Sequence, residues 1–357
     1  QYHPSLAITV DCGTGAAEGV AMARAAGCDM IVTDHHQPGE TASGALVELN
    51  PKLGNHPELE GLAGVGVAFK LAHALIKRGL QEGSSAASAL DLREWLDLVA
   101  LGTIADVVPM TGENRILARH GLACMEKGKR EGLRALCAVA GLKKEITSYH
   151  VGFVLGPRLN AAGRLGDARR ALDLLMTSDP GTSVRLASEL DKMNSERKTT
   201  EDTTLAAAAA QAETFPPAER EMGMVVSGEG WHAGILGIVA ARLSGRYNCP
   251  AVVIAMDSNG LGRGSARTSS DVDLMELLGE SSRLLKSFGG HRAAAGLTVE
   301  RKNLEEFRAR FLAACRAKLT GQDMSPVIRI GAWVESLGDI DMSLMEWLHK
   351  LEPYGMG

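Results

Sequence analysis

Short apolar runs that stop abruptly at polar residues mark the start of the chain. Residues 6–10 (LAITV) close on Asp11-Cys12-Gly13, and residues 30–33 close on Asp34-His35-His36. Residues 15–26 between them carry helical spacing, so the two runs read as buried strands of a parallel β-α-β unit. Residues 45–49, closed by Asn50-Pro51, add a third strand-like piece. From 64 to 166, Leu and Ala recur at helical spacing with Gly breaks. Residues 183–213 are polar and Ala-rich, and without a wide apolar face they read as a long helix connecting domains. Strand signals return at 224–226 and 251–255 around a helical 234–246, predicting a second, smaller α/β domain. The alternation Ile328, Ile330, Ala332, Val334 predicts the first strand of a third unit, which is incomplete at Gly357 on this reading. The expected segmentation is 1–180, a connector over 181–215, 216–322, and 323–357.

Composition narrows the class. At 357 residues the chain exceeds one ordinary core. Its 45% apolar and 23% charged residues suit a globular protein and exclude disorder. No apolar run approaches the roughly 20 residues that span a bilayer, so no membrane partner is expected. Six scattered cysteines form no CxxC pair, which disfavours a zinc knuckle or disulfide framework and suits reduced thiols in a cytoplasmic protein. The net charge of −5 permits a nucleic-acid partner gripped locally but does not argue for one.

Candidate chemistry gathers at the ends of these elements. Asp11, the Asp34-His35-His36 trio and Asp106 all fall at predicted strand or loop ends. In an open parallel sheet the C-terminal strand ends line the active crevice, so Asp11 and the trio would be neighbours. Mixed carboxylate and imidazole ligands suit Mn²⁺ or a similar ion, and two such ions can hold both oxygens of a phosphodiester displacement. The plainer reading is that an isolated Asp caps a helix and that paired histidines are polar surface. Spacing alone leaves the two readings balanced.

Longer motifs tip the balance. Asp34-His35-His36 is the motif that names the DHH phosphoesterase superfamily. Asp11-Cys12-Gly13 and Thr103-Ile-Ala-Asp106-Val-Val-Pro109 resemble its second and fourth motifs, and Gly289-Gly290-His291 resembles the GGH motif of the DHHA1 domain. Residues 156–164 (GPRLNAAGR) and 231–240 (WHAGILGIVA) narrow the resemblance to the RecJ family. The resemblance implies a parallel-sheet DHH catalytic domain joined by the long helix to a smaller α/β DHHA1 domain, then the start of an oligonucleotide-binding (OB) β unit. It implies that Asp11, His35 and Asp106 are metal ligands, with Asp11 bridging two Mn²⁺ (or Mg²⁺) ions. Asp34 and His36 would orient ligands or touch the scissile phosphate. The family's first motif, a DxDxxG-like element, is absent before Asp11 and is expected upstream of Gln1. That departure puts the activity of this chain by itself in doubt.

Further along, Gly289-Gly290-His291 is read as preceding a small-residue helix over 293–296, whose N–H groups would meet a phosphate that His291 also touches. An ordinary Gly turn capping a helix accounts for the same pattern. The loop 262–267 (GRGSAR) joins glycines to a hydroxyl and guanidinium groups. By resemblance Ser265 and Arg267 hold a DNA 5′-phosphate, while Arg158, Asn160 and Arg164 line the path of the strand. Trp231 either stacks on a base or packs between domains. The implied activity is a 5′→3′ exonuclease that degrades single-stranded DNA to mononucleotides in repair and recombination. Helicases and single-strand-binding proteins are its candidate protein partners. The alternatives are a phosphodiesterase of short oligonucleotides or cyclic dinucleotides, and an inactive DNA-binding module.

Overall fold

The computed structural model describes residues 3–39, 41–143, 145–321 and 330–357. Two compact units emerge: Gln1–Asn160 with Arg169–Asp191 and Val334–Gly357, and Ala161–Ala168 with Lys192–Trp333.

In the first unit, strand β1 (Leu6–Val10), helix α1 (Ala17–Ala25), β2 (Asp29–Thr33) and β3 (Val47–Leu49) form a parallel sheet in the order β1-β2-β3. Val10 pairs with Thr33 and Thr33 with Leu49, so all three strands end level. The ladder runs one residue further, through Asp11 N–H to Thr33 O (2.9 Å) and Asp34 N–H to Leu49 O (3.0 Å). β2 is buried as expected, with Val32 at 0% exposure. β1 is not: Leu6, Ile8 and Val10 remain 46–59% exposed. It is an edge strand with no neighbour on its outer side among the described residues, so its apolar run finds only one packed flank.

Helices α2 (Gly64–Gln81) and α3 (Leu96–Ala105) follow. α3 buries Val99, Ala100, Leu101, Thr103 and Ile104, which explains its nearly unbroken apolar sequence. A π-helical turn, His150–Leu155, leads into α4 (Gly156–Leu165). The long helix α5 (Pro180–Glu213) forms as expected, but it is no bare connector. It buries Leu186, Ala187 and Leu190 early and Ala208, Ala209 and Ala212 late. Between these, Arg197 and Glu201 pair at 2.6 Å while buried, with Asn194 also bonded to Arg197. Polar residues thus occupy an inward stripe through mutual satisfaction, which the apolar pattern cannot reveal.

The second unit contains β4 (Met224–Glu229), α6 (Leu236–Tyr247), β5 (Ala251–Met256), β6 (Leu261–Arg267), α7 (Leu274–Gly279), β7 (Leu285–His291), β8 (Ala294–Glu300) and α8 (Leu304–Leu319). The sheet order is β4-β5-β6-β8-β7, with β4 and β5 parallel and the remaining pairs antiparallel. One face carries Val225, Val252, Ile254, Ala266, Leu297 and Val299, packed with Leu274 and Leu277 of α7 and with Phe307 and Phe311 of α8. On the other face Met224, Val226, Ala251 and Val253 pack with α6 and the end of α5. Each fully buried side chain of this size contributes about 1.5–3 kcal/mol, so both layers are strongly held.

Two expectations need correction. Residues 293–296 are not a helix: His291 ends β7, and Ala294 opens β8 as its hairpin partner. Runs of Ala and Gly fit a strand when a close neighbour leaves no room for larger side chains. Here a Cβ on Gly290 (φ 151°) would overlap the Ala294 carbonyl oxygen. The expected opening strand of an OB unit also fails where it can be seen. Ile328 lies outside the described residues, and residues 330–335 form no strand. Ile330 and Trp333 are 72% and 82% exposed, because a half-buried strand needs a partner and the described residues offer none. Helix α9 (Met342–Lys350) follows, and the tail returns to the first unit, where Met110 N–H donates to Met356 O. Among the described residues no helix is long and apolar enough to cross a membrane.

Candidate metal centre and nucleic-acid face

The level ends of β1, β2 and β3 place Asp11, Asp34 and Asn50 side by side. Asp34 is buried and works as a hub. Thr14 N–H (3.0 Å), His35 N–H (2.8 Å), His36 N–H (3.2 Å) and His36 Nδ1 (2.7 Å) all meet its carboxylate. Burial pushes its pKa up, but the hydrogen bonds from Thr14, His36 and His35 outweigh this and hold it at about 2. Its acceptor capacity is spent on shaping the loop, which makes it an orienting group.

His35 is the opposite case. Its Nε2 lies 3.1 Å from Asp11 Oδ1 and 3.3 Å from Asp106 Oδ2. The atom is buried and makes no hydrogen bond, although two carboxylate oxygens stand that close. A buried polar nitrogen without a partner is costly, and one nitrogen with two oxygens converging is the donor set of a first-row divalent cation. A ligand atom of His36 also lies within 4.8 Å of those of Asp11 and His35. Asp106 caps α3, just before Val107 at φ 58°. Partial burial raises its pKa, with His35 pulling down and Asp11 pushing up.

Asp11 itself holds φ 61°, and a Cβ on Gly64, at the start of α2, would overlap its carboxylate. Gly64 therefore keeps the space into which Asp11 projects, and nothing in its sequence surroundings announces that role. Asn50 and Lys52 were missed too. Asn50 donates to Thr14 Oγ1 (3.0 Å) and His36 O (2.9 Å), and Lys52 Nζ to His35 O (2.5 Å). The Asn-Pro after the third strand was the only available signal.

The predicted phosphate-binding residues fall in both units. In the first, Arg158 Nε donates to Asp191 Oδ1 (2.9 Å) and its NH1 to Val154 O (2.7 Å), while Asn160 is exposed on α4. In the second, Arg164 NH1 donates to Gly234 O (3.1 Å) and Arg267 NH1 to Ser265 Oγ (2.9 Å). Burial lowers the pKa of both Arg164 and Arg267; Arg197 adds to the first shift and Arg164 to the second. The Glu201 carboxylate opposes the shift at Arg164, whereas at Arg267 the neighbouring cation alone adds to burial, a setting that favours an incoming anion. A Cβ on Gly237 would lie 2.7 Å from the Arg267 guanidinium, so this glycine makes room for it. Gly289, Gly290 and His291 are exposed at the end of β7. Trp231 lies over Gly228 and packs against the α6 core of its own unit.

The DHH family, N-terminal domain, matches residues 1–103, and the DHHA1 domain matches residues 221–317. The single-stranded-DNA-specific exonuclease RecJ of Bacillus subtilis is 38% identical over 355 residues, covering 99% of this chain and 43% of that protein. The crystal structure of RecJ from Thermus thermophilus in complex with Mn²⁺ superposes with TM-score 0.86 at 33% identity, over 98% of this chain and 50% of that one. A structure of exonuclease RecJ bound to manganese superposes with TM-score 0.73 at 34% identity, over 87% of this chain and 75% of that one. The chain spans about half the length of the curated relatives it matches.

Proposed function

The chain belongs to the RecJ family, with a DHH and a DHHA1 domain, and from that premise we propose that it hydrolyses single-stranded DNA from the 5′ end to mononucleotides with a divalent metal ion. The observation that carries this reading is His35 Nε2, buried, without a hydrogen bond and facing the Asp11 and Asp106 carboxylates. These three residues would hold Mn²⁺ or Mg²⁺, and the resemblance supports two such ions. A bound divalent cation activates water and offsets charge developing on the phosphodiester. Asp34 fixes the loop that presents His35, through three backbone N–H groups and His36. Ser265 and Arg267, with Arg164 close by, take the 5′-phosphate and so set polarity. His291 stands on the same sheet face, where it meets the phosphate chain. On this reading the protein works in the cytoplasm in DNA repair and recombination, with helicases and single-strand-binding proteins as partners.

The test is digestion of single-stranded DNA labelled at one end, with Mn²⁺ present or chelated. Mononucleotides released from the 5′ end alone, and lost on chelation and in Asp106→Ala, are the expected result. Cleavage restricted to very short oligonucleotides or cyclic dinucleotides would replace this reading with a small-substrate phosphodiesterase. DNA binding without any cleavage would leave a binding module.

A further inference from the structure

Phenylalanine is scarce in this chain and mostly sheltered: Phe307 and Phe311 lie in the core, and Phe69, Phe215 and Phe288 are half-buried. Among the described residues Phe153 is the one exposed phenylalanine, at 72%, and Tyr149, four positions earlier, is 63% exposed. Their rings lie 5.0 Å apart, tilted by 30°, and so form one continuous apolar patch in water. Phe153 belongs to the π-helical turn before α4, and single π turns within helices recur at functional sites. Gly156 N–H reaches back to Val151 O, and a Cβ on Gly156 would lie 3.0 Å from that oxygen. The same built Cβ would lie 3.4 Å from Ala105, and one on Gly152 would lie 3.8 Å from Ile104. The two glycines therefore seat the turn against the end of α3, directly before Asp106. Backbone spacing along these contacts keeps Phe153 within about 15 Å of Asp106. Asn160, also exposed, follows seven positions later on the same side of the helix. No acidic residue occurs from Thr147 to Gly166, in a chain with 43 Asp and Glu.

We propose that Tyr149 and Phe153 form a stacking platform for unpaired bases on the 3′ side of the bond cut at the Asp11–His35–Asp106 centre. The inference rests on the exonuclease reading and extends it. A metal centre grips phosphate and is indifferent to the base, whereas an exposed aromatic ring binds the flat face of any base. Stacking of this kind accepts every sequence, as a nuclease that degrades a whole strand requires. It also selects against duplex, because a paired base already has both faces covered by its neighbours. The terminal nucleotide is tied to its own 5′-phosphate pocket, which leaves the bases beyond the cut for the platform. A base laid on Phe153 takes the exposed ring out of water, and the acid-free helix surface around it does not repel the phosphates that follow.

Fluorescence anisotropy on the whole chain in chelator, where cleavage is suppressed, tests this with 5′-phosphorylated oligothymidylate. A matched set of strands carries a single abasic site, moved one nucleotide at a time from the 5′ end. For the wild type, removing the base at one or two adjacent positions beyond the first nucleotide is expected to weaken binding about tenfold. Phe153→Ala should weaken the intact strand by a similar factor and make it indifferent to the abasic site at those positions. Phe153→Trp should keep both the affinity and the abasic penalty, and Tyr149→Ala should lose part of each. The slope of log K against log salt should stay unchanged in Phe153→Ala, since no phosphate contact is removed. If Phe153→Ala keeps the wild-type ratio of intact to abasic affinity at every position, the platform is refuted. A lowered melting temperature with that ratio unaltered would assign the two rings to packing against protein instead. Loss of binding in Arg267→Gln alone would refute the platform and leave the exonuclease reading standing. A wild-type chain that binds none of these strands would remove that reading and the platform together.

Discussion

In the first unit, charged side chains converge on a point from the ends of two strands and a helix; in the second, polar side chains stand apart on the open faces of strands. The convergent centre holds its groups at 3.1 and 3.3 Å around one nitrogen. The open face keeps its groups a strand spacing apart, about 4.8 Å sideways and 7 Å lengthwise. The contrast fits the two tasks. A metal ion needs ligands within one coordination sphere and tolerates little displacement, while a phosphate chain needs donors at repeating intervals and a floor without obstruction. Substitutions should therefore act sharply in the first region and gradually in the second.

The largest effect is expected at a residue that touches no substrate. Gly64→Ala puts a methyl where the Asp11 carboxylate lies. Asp11 must swing aside or α2 must shift, and a misplacement of about 1 Å in such a site costs on the order of 100-fold in rate. Cleavage of single-stranded DNA should fall by at least that factor, while urea denaturation records a loss of about 1–3 kcal/mol. Wild-type turnover in Gly64→Ala would show that Asp11 does not need its present position, and the convergent picture would be lost.

The convergent centre was also the more legible of the two. Asp34, His35 and His36 are consecutive after a buried strand, so one short string contains most of the chemistry, and the level strand ends brought Asp11 beside it as expected. What escaped was the support. Thr14 and Asn50 meet the trio only through folded proximity, 20 and 14 residues away from their partners Asp34 and His36. The open face was hidden for a deeper reason. Its rows join β6 to β8 to β7, and which residues stand opposite one another depends on hairpin geometry at Arg292 and Ala293. A string such as HRAAAG has neither a helical nor a strand period to read. Its placement follows from the tight approach at Gly290, a backbone property that composition does not encode.

A milder pair of substitutions sets the two regions against each other directly. Arg267 is partly buried next to Arg164, and both circumstances lower its pKa, so it is held at some cost while no anion is present. Arg267→Gln should leave stability unchanged or slightly improved, and reduce the preference for 5′-phosphorylated over 5′-hydroxyl DNA about tenfold. Arg158 is already satisfied by Asp191 and Val154 O. Arg158→Gln should cost about 1–3 kcal/mol of stability and leave the end preference intact. The reverse outcome, with Arg158→Gln losing the preference and Arg267→Gln keeping it, would move the terminal-phosphate pocket out of the second unit.

The smallest effect is the most diagnostic for the open face. Neighbouring glycines on β7 differ in what they need. Gly290 has φ 151°, and a Cβ there would overlap the Ala294 carbonyl, so Gly290→Ala should destabilise by about 1–3 kcal/mol. Gly289 has nothing within 4 Å of a built Cβ. Gly289→Ala should therefore shift stability by no more than about 0.5 kcal/mol, and reduced freedom of the unfolded chain can make the change favourable. The added methyl nevertheless stands in the Ser265–Gly296–Gly289 row, on the face that carries the proposed terminal-phosphate pocket. A severalfold weaker affinity for 5′-phosphorylated oligonucleotides, at unchanged melting temperature, is the expected result. If Gly289→Ala binds as tightly as the wild type, the bare row between Ser265 and β7 is not a ligand floor. Gly289 would then be small because the strand tolerates it, with no reason in the chemistry of the site.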